Sequence, residues 1–140
     1  MFGLNYIIFR SHNVYGEFQN IGDRYRNVVG IFMNQLMKGE ELTVFGDGKQ
    51  TRTFSYIDDV APVIAQSVGV KEAYNEIFNF GVDQEYTEAE LAQAVMNDRG
   101  ELKHLPLRNE IVHAYADHYK VKSIFNLSEY TPLQERMISL

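Results

Sequence analysis

At 140 residues, with 45% hydrophobic and 23% charged residues and nine each of Tyr and Phe, the chain has the composition of a folded globular protein, and its length suits one hydrophobic core. Its formal net charge of -6 repels phosphate polymers and anionic membrane surfaces, so neither nucleic acid nor a membrane is an expected partner, and an anionic ligand needs locally placed arginines and backbone donors. The absence of cysteine excludes disulfides and thiolate metal sites and fits a reducing compartment, so the cytoplasm is the expected location.

The apolar run from Leu4 to Phe9 predicts a short buried strand, and no run near the start is long enough for a signal peptide or a membrane span. A chain that opens directly on a strand reads as an interrupted fold. Residues 13 to 24, rich in Asn, Gly, Gln and Asp, predict a loop. From Tyr25 to Lys38, Val28, Val29, Ile31, Phe32, Leu36 and Met37 recur at helical spacing until Gly39 stops the run. Leu42 to Phe45 and Thr53 to Ile57 predict strands joined hairpin-fashion through Gly46-Asp47-Gly48. Asp58 and Asp59 are then placed to cap a helix carrying Val60, Val63, Ile64 and Val68, with Pro62 near its start. Glu76 to Phe80 predicts a strand. Thr87 and Glu90 have capping-box spacing ahead of Leu91, Ala92, Val95 and Met96. Leu102 to Leu105 predicts a last strand, and helices follow around Asp117 to Phe125 and Pro132 to Ile138. The order is that of an α/β domain with no internal repeat and no linker.

Three clusters carry candidate chemistry. Arg10-Ser11-His12-Asn13-Val14-Tyr15-Gly16 lies at the carboxyl end of the first strand, where open α/β sheets place ligand crevices. There Asn13 either donates its amide to a phosphate or sugar hydroxyl or closes an Asx-turn. Leu42 to Arg52 brings together a strand edge that presents backbone donors and acceptors, a glycine turn, and the Arg52 guanidinium, which suits a diphosphate. By itself, such a turn is far more often an ordinary hairpin than a binding loop. Arg108 and Glu110 follow Pro106, either as a phosphate and ribose pair or as a solvated ion pair. The four histidines show no metal-ligand spacing, and no serine sits in a nucleophile elbow. Asp58 and Asp59, adjacent on a helix, diverge by ~100° and do not form a carboxylate pair.

Taken together, Arg10 to Gly16, Leu42 to Arg52, Phe54-Ser55-Tyr56-Ile57-Asp58-Asp59-Val60, and Phe78-Asn79-Phe80-Gly81 with Thr87-Glu88-Ala89-Glu90-Leu91 resemble the extended short-chain dehydrogenase/reductase superfamily. Within it, they resemble the NAD-dependent nucleotide-sugar epimerases and dehydratases of the UDP-glucose 4-epimerase type. The resemblance implies the last strand of a Rossmann-type sheet followed by the small α/β substrate-binding domain, spanning residues 1–140 as a single carboxy-terminal unit. It also implies a UDP-sugar site made by Asn13, Asn27, Val28, Val44, Phe45, Arg52, Arg108 and Glu110. Ser11 and His12 fall beside the nicotinamide, where the family usually has proline or tyrosine and then phenylalanine. The family's glycine-rich loop and its Tyr-x-x-x-Lys pair do not occur in these residues. The chain therefore reads as a fragment without the dinucleotide-binding half, inactive alone, with NAD belonging to the full-length parent. The alternative is a non-catalytic nucleotide-binding or self-association module, forming homo-oligomers through exposed apolar surface.

Overall fold

The computed structural model of the chain describes residues 3–22, 27–109, 111–127 and 130–137. Its elements, in order, are β1 (Ile7–Ser11), β2 (Val14–Tyr15), α1 (Val28–Met37), β3 (Leu42–Phe45), β4 (Thr51–Thr53), β5 (Ser55–Tyr56), α2 (Ile57–Ser67), β6 (Glu76–Phe80), β7 (Glu85–Thr87), α3 (Glu88–Met96), β8 (Leu102–Leu105), α4 (Tyr119–Phe125) and α5 (Leu133–Met137). A short 3-10 turn, Lys71–Ala73, precedes β6. The mixed α/β architecture agrees with the fold class expected from sequence.

Local chemistry explains where the helices begin and end. The amide of Val29 donates to Asn27 Oδ1 at 2.9 Å, while Asn27 Nδ2 donates to Val14 O at 2.9 Å, so one side chain both caps α1 and ties it to β2. The expected start at Tyr25 lies outside the described residues. At the other end Gly39 adopts φ +70, its amide donates to Leu36 O, and the Glu40 amide donates to Gln35 O. These are the two bonds of a Schellman stop, and the left-handed residue between them favours glycine. Helix α3 opens on a full capping box: Glu90 N donates to Thr87 Oγ1 at 3.1 Å and Thr87 N to Glu90 Oε2 at 2.7 Å. The helix α2 departs from expectation. Tyr56 is its N-cap and no side chain caps it; Asp59 instead accepts from Thr131 N at 2.9 Å and Thr131 Oγ1 at 3.0 Å.

Among the described residues the strands form four pairs, of which β1–β6, β2–β5 and β3–β8 are parallel and β4–β7 is antiparallel. The expected hairpin does not form. Gly46 (φ +63) and Gly48 (φ +71) make the turn, but β3 leaves it to pair with β8 and β4 to pair with β7. A tight turn sets only the direction of the chain, and pairing follows burial of the strand faces. Nor is β1 the buried strand expected. It starts at Ile7, pairs with β6 alone, and leaves Leu4 82%, Tyr6 50% and Ile8 43% exposed.

Buried residues gather in two clusters where one core was expected. Val29 and Phe32 of α1, Leu42 and Val44 of β3, and Leu91 and Val95 of α3 pack in the first. Phe78 and Phe80 of β6, Val60 and Val63 of α2 and Val121 of α4 pack in the second, with Phe9, Phe78 and Phe125 in mutual ring contact at 5.5–5.9 Å. Each fully buried aliphatic or aromatic side chain contributes about 1.5–3 kcal/mol. Tyr15 and Tyr56 are 1% and 2% exposed, and their rings meet at a tilt with centroids 5.7 Å apart. No described helix is long and apolar enough to cross a membrane.

Candidate functional site

The start of α1, the edge of β3, Gln50 and Arg52 just past the glycine turn, and the first residue of α3 all face one cavity of about 740 Å3. Its lining includes Asn13, Asn27, Val28, Phe45, Arg52 and Arg108. Three segments far apart in sequence, each a candidate in its own right, therefore meet on one hollow. The cavity lies within the size range of small-molecule sites. Val44, also a candidate, is fully buried and points into the first core cluster instead of the cavity. Glu110 lies outside the described residues.

The geometry assigns distinct capacities to these residues. Val28 is the first residue of α1, where backbone amides lack intrahelical partners and the helix dipole favours an anion. Asn27 itself is committed at both side-chain atoms to the cap and to Val14. Asn13 Nδ2 donates to Thr53 O at 3.0 Å from a backbone at φ +24, so this side chain first of all holds β4 against the loop. Arg52 Nη1 donates to Thr51 O at 2.7 Å and to Val112 O at 3.3 Å, which anchors the guanidinium with its other nitrogens remaining. Residues 112–114 run along β4, through Thr51 N to Val112 O at 2.9 Å and a bridge between Thr51 and His113. That docking brings the segment after Pro106 to the cavity, where the Arg108 guanidinium lies 3.6 Å from the centre of the Phe45 ring.

Sequence reasoning did not assign part of the lining: Gln19, Asn20 and Glu88 also face the cavity, as do Thr43 and Gln50 of the Leu42–Arg52 cluster. Gln50 Nε2 donates to Phe45 O at 2.9 Å, and the Phe45 amide donates to Glu88 Oε2 at 3.4 Å. Glu88 sits one residue into the capping box that was legible, but which way the first turn of α3 faces depends on where the glycine turn docks. Gly48 O accepts from Ala89 N at 3.1 Å, and a Cβ on Gly48 would stand 3.1 Å from Ala89 Cβ.

Ser11 and His12 do not line this cavity. Ser11 is exposed at the end of β1, and the His12 ring packs edge-on against His118, with centroids 5.2 Å apart. The His118 side chain is fully buried and its Nδ1 lies 2.9 Å from Asp83 Oδ1, while Asp83 also pairs with Lys122. Burial, and then the neighbouring His118, lowers the His12 pKa. Burial works to raise the Asp83 pKa, but hydrogen bonds from Lys122 and His118 outweigh it and hold the carboxyl below its ordinary value. Among the described residues no three metal-ligating side chains gather.

Comparisons with known proteins bear on the family and the fold. The model of the NAD dependent epimerase/dehydratase family matches residues 1–81, more than half of the chain. A putative UDP-glucose 4-epimerase of Methanocaldococcus jannaschii is 34% identical over 128 residues, covering 89% of this chain and 41% of that protein. A UDP-N-acetyl-alpha-D-glucosaminuronate decarboxylase of Bacillus cytotoxicus is 33% identical over 82% of this chain and 36% of its own length. The crystal structure of UDP-glucose 4-epimerase with UDP-glucose from Thermotoga maritima superimposes with a TM-score of 0.80 at 30% identity, over 97% of this chain and 44% of that one. The chain thus spans less than half the length of these relatives. With its motifs in family order on a matching α/β framework, the chain belongs to the NAD-dependent epimerase/dehydratase family.

Proposed function

We propose that these 140 residues form the substrate-binding unit of a nucleotide-sugar epimerase, dehydratase or decarboxylase, and that the cavity takes the nucleoside diphosphate half of a UDP-sugar. The convergence of Asn13, Arg52 and Arg108 on one hollow carries this reading. In it, the diphosphate lies between the amino end of α1 and the two guanidiniums, which compensate locally for the anionic net charge. The base lies against Phe45 and the β3 edge, with Val44 behind it as core support. Glu110 contributes to the ribose end.

Epimerisation, dehydration and decarboxylation on an NAD enzyme all need a hydride acceptor and a proton-transfer pair. NAD supplies the hydride chemistry when bound. The residues present do not fit a dinucleotide, because no strand-to-helix glycine loop occurs among them and, of the two residues assigned to it, Ser11 is exposed and His12 is packed on His118. This chain alone therefore binds and orients the nucleotide and does not turn it over. Calorimetry on the folded chain should give UDP binding that weakens by ~10-fold or more in Arg52→Ala. No heat of binding at millimolar UDP, with circular dichroism showing a folded chain, would refute the reading.

A second reading, self-association, is favoured by the apolar surface at Leu4, Tyr6, Ile8 and Ile77, all at least 38% exposed around the β1–β6 pair. Sedimentation of the wild type and of Ile8→Lys separates the two, since a monomer at micromolar concentration removes it.

A further inference from the structure

The cavity-facing edge of β3 is already occupied by the protein's own side chains. Neighbouring strand residues direct their main-chain groups to opposite sides, and β8 supplies the partner strand on one of them. On the cavity side, Thr43 N donates to Gln35 Oε1 at 3.2 Å, the Phe45 amide to Glu88 Oε2 at 3.4 Å, and Gln50 Nε2 to Phe45 O at 2.9 Å. The Glu88 amide in turn donates to Gln50 O at 3.0 Å, so Glu88 and Gln50 stand side by side at the Phe45 peptide. Gln50 is 6% exposed, and its Oε1 has no partner among the described residues. A planar cation, the Arg108 guanidinium, lies on the Phe45 ring as a stacked base would.

A uracil edge reads acceptor, donor, acceptor, and its complement is one strand residue's N–H beside its C=O. Phe45 presents that pair to the cavity. Its carbonyl oxygen accepts from Gln50 Nε2 at 2.9 Å and, across the turn, from Gly48 N at 3.3 Å, so a base N–H would take the place of the longer turn bond. Its amide carries a single proton, so Glu88 and a base carbonyl compete for the same donor. We propose that Glu88 is a built-in competitor for the base: its carboxylate holds the Phe45 amide in the unliganded protein and must swing away before a uracil carbonyl can take its place. This rests on the nucleotide reading of the cavity and assigns Glu88 a role in setting affinity for the base, separate from the arginines that hold the diphosphate.

The test is calorimetric titration of the wild type, Glu88→Ala, Glu88→Gln and Arg52→Ala with UDP and with inorganic pyrophosphate, which lacks a base. Glu88→Ala should bind UDP roughly five- to tenfold more tightly, about what one released hydrogen bond is worth. Glu88→Gln, which keeps an acceptor without the charge, should fall between the two. Pyrophosphate affinity should change by less than ~2-fold, because the competition is at the base. Equal tightening for pyrophosphate would show that the carboxylate acts only as a repelling charge and would overturn the proposal. So would unchanged or weaker UDP binding in Glu88→Ala while Arg52→Ala still weakens it, an outcome that leaves the nucleotide reading standing. UDP binding to none of these proteins would overturn both.

Discussion

Asp59→Asn isolates a tie that reaches across 72 residues of sequence. The two Asp59 oxygens each take one bond from Thr131, from the amide at 2.9 Å and from the hydroxyl at 3.0 Å, and so fasten the segment leading into α5 to the first turn of α2. Asparagine keeps the shape and an acceptor for the Thr131 amide, and its own N–H can donate to the Thr131 hydroxyl, so what is lost is the charge that strengthens both bonds. Hydrogen bonds to charged groups contribute ~1.5–3 kcal/mol in partly buried settings, and the expected loss is of that order. For a chain of this length that lowers Tm by roughly 4–10 °C, and urea unfolding should show the midpoint fall with the slope unchanged. Adding Thr131→Val tests the cause: valine removes the hydroxyl bond and leaves the amide bond, so the double variant should lose less than the sum of the single losses by about the share of the hydroxyl bond. A loss below about 0.5 kcal/mol for Asp59→Asn, or additive losses in the double variant, would refute a stabilising role for the tie.

Other expectations follow from the same contacts. Tyr130 is pushed up to about 12, first by burial and then by Asp83 and Asp59. Its folded pKa exceeds its unfolded value near ~10, so its contribution to stability is full below that pH and is lost as pH rises toward 12. Alkaline titration by ultraviolet absorbance should show one late tyrosine, moved down in Asp59→Asn; a Tyr130→Phe variant that keeps the late phase would contradict the assignment. Thr87→Ala removes one arm of the capping box and should cost ~1 kcal/mol in urea unfolding. Glu90 has a lowered pKa, chiefly through the Thr87 amide, so the box is complete above the ordinary glutamate range and weakens as pH falls through the depressed value. The Thr87→Ala deficit should therefore shrink in acid, and a deficit independent of pH would count against the pairing. Gly48→Ala puts a Cβ 3.1 Å from Ala89 Cβ at φ +71, at a strain of roughly 1–2 kcal/mol. The turn carries Phe45 and Arg52 at its two ends, so UDP affinity should fall with stability; unchanged affinity would mean the turn does not position the site.

Much of the secondary structure was legible because it rests on short-range chemistry. The spacing of Val28, Val29, Ile31, Phe32 and Leu36, closed by Gly39, describes a helix whatever surrounds it, and Thr87 with Glu90 caps α3 through bonds three residues apart. Leu42–Phe45, Glu76–Phe80 and Leu102–Leu105 emerge with the bounds that their apolar runs suggest. Asp59 was misread as a cap because local spacing offers the nearest amides, while its partner Thr131 is reachable only once α5 has packed beside α2. The short strands β2 and β7 carry too few residues to show a period. Glu88 and Gln50 were given no site role, although Gln50 lies in the Leu42–Arg52 cluster, because that role depends on a peptide forty-odd and five residues away, both delivered by the turn.

The sequence by itself determined most of the helices, the strands β3, β6 and β8, the family, and which residue types are suited to a diphosphate, since these depend on neighbours a few positions apart and on motifs in fixed order. The strand expected over Thr53 to Ile57 divides into the end of β4, β5 and the start of α2. Only the tertiary structure decided that β3 pairs with β8 and not across its own turn, that the buried residues divide into two clusters, and that Val44 faces the core while Asn13, Arg52 and Arg108 face one cavity. The physical reason is that strand partners and shared hollows are chosen by burial summed over distant segments. A residue's own neighbours in the chain carry no record of that sum.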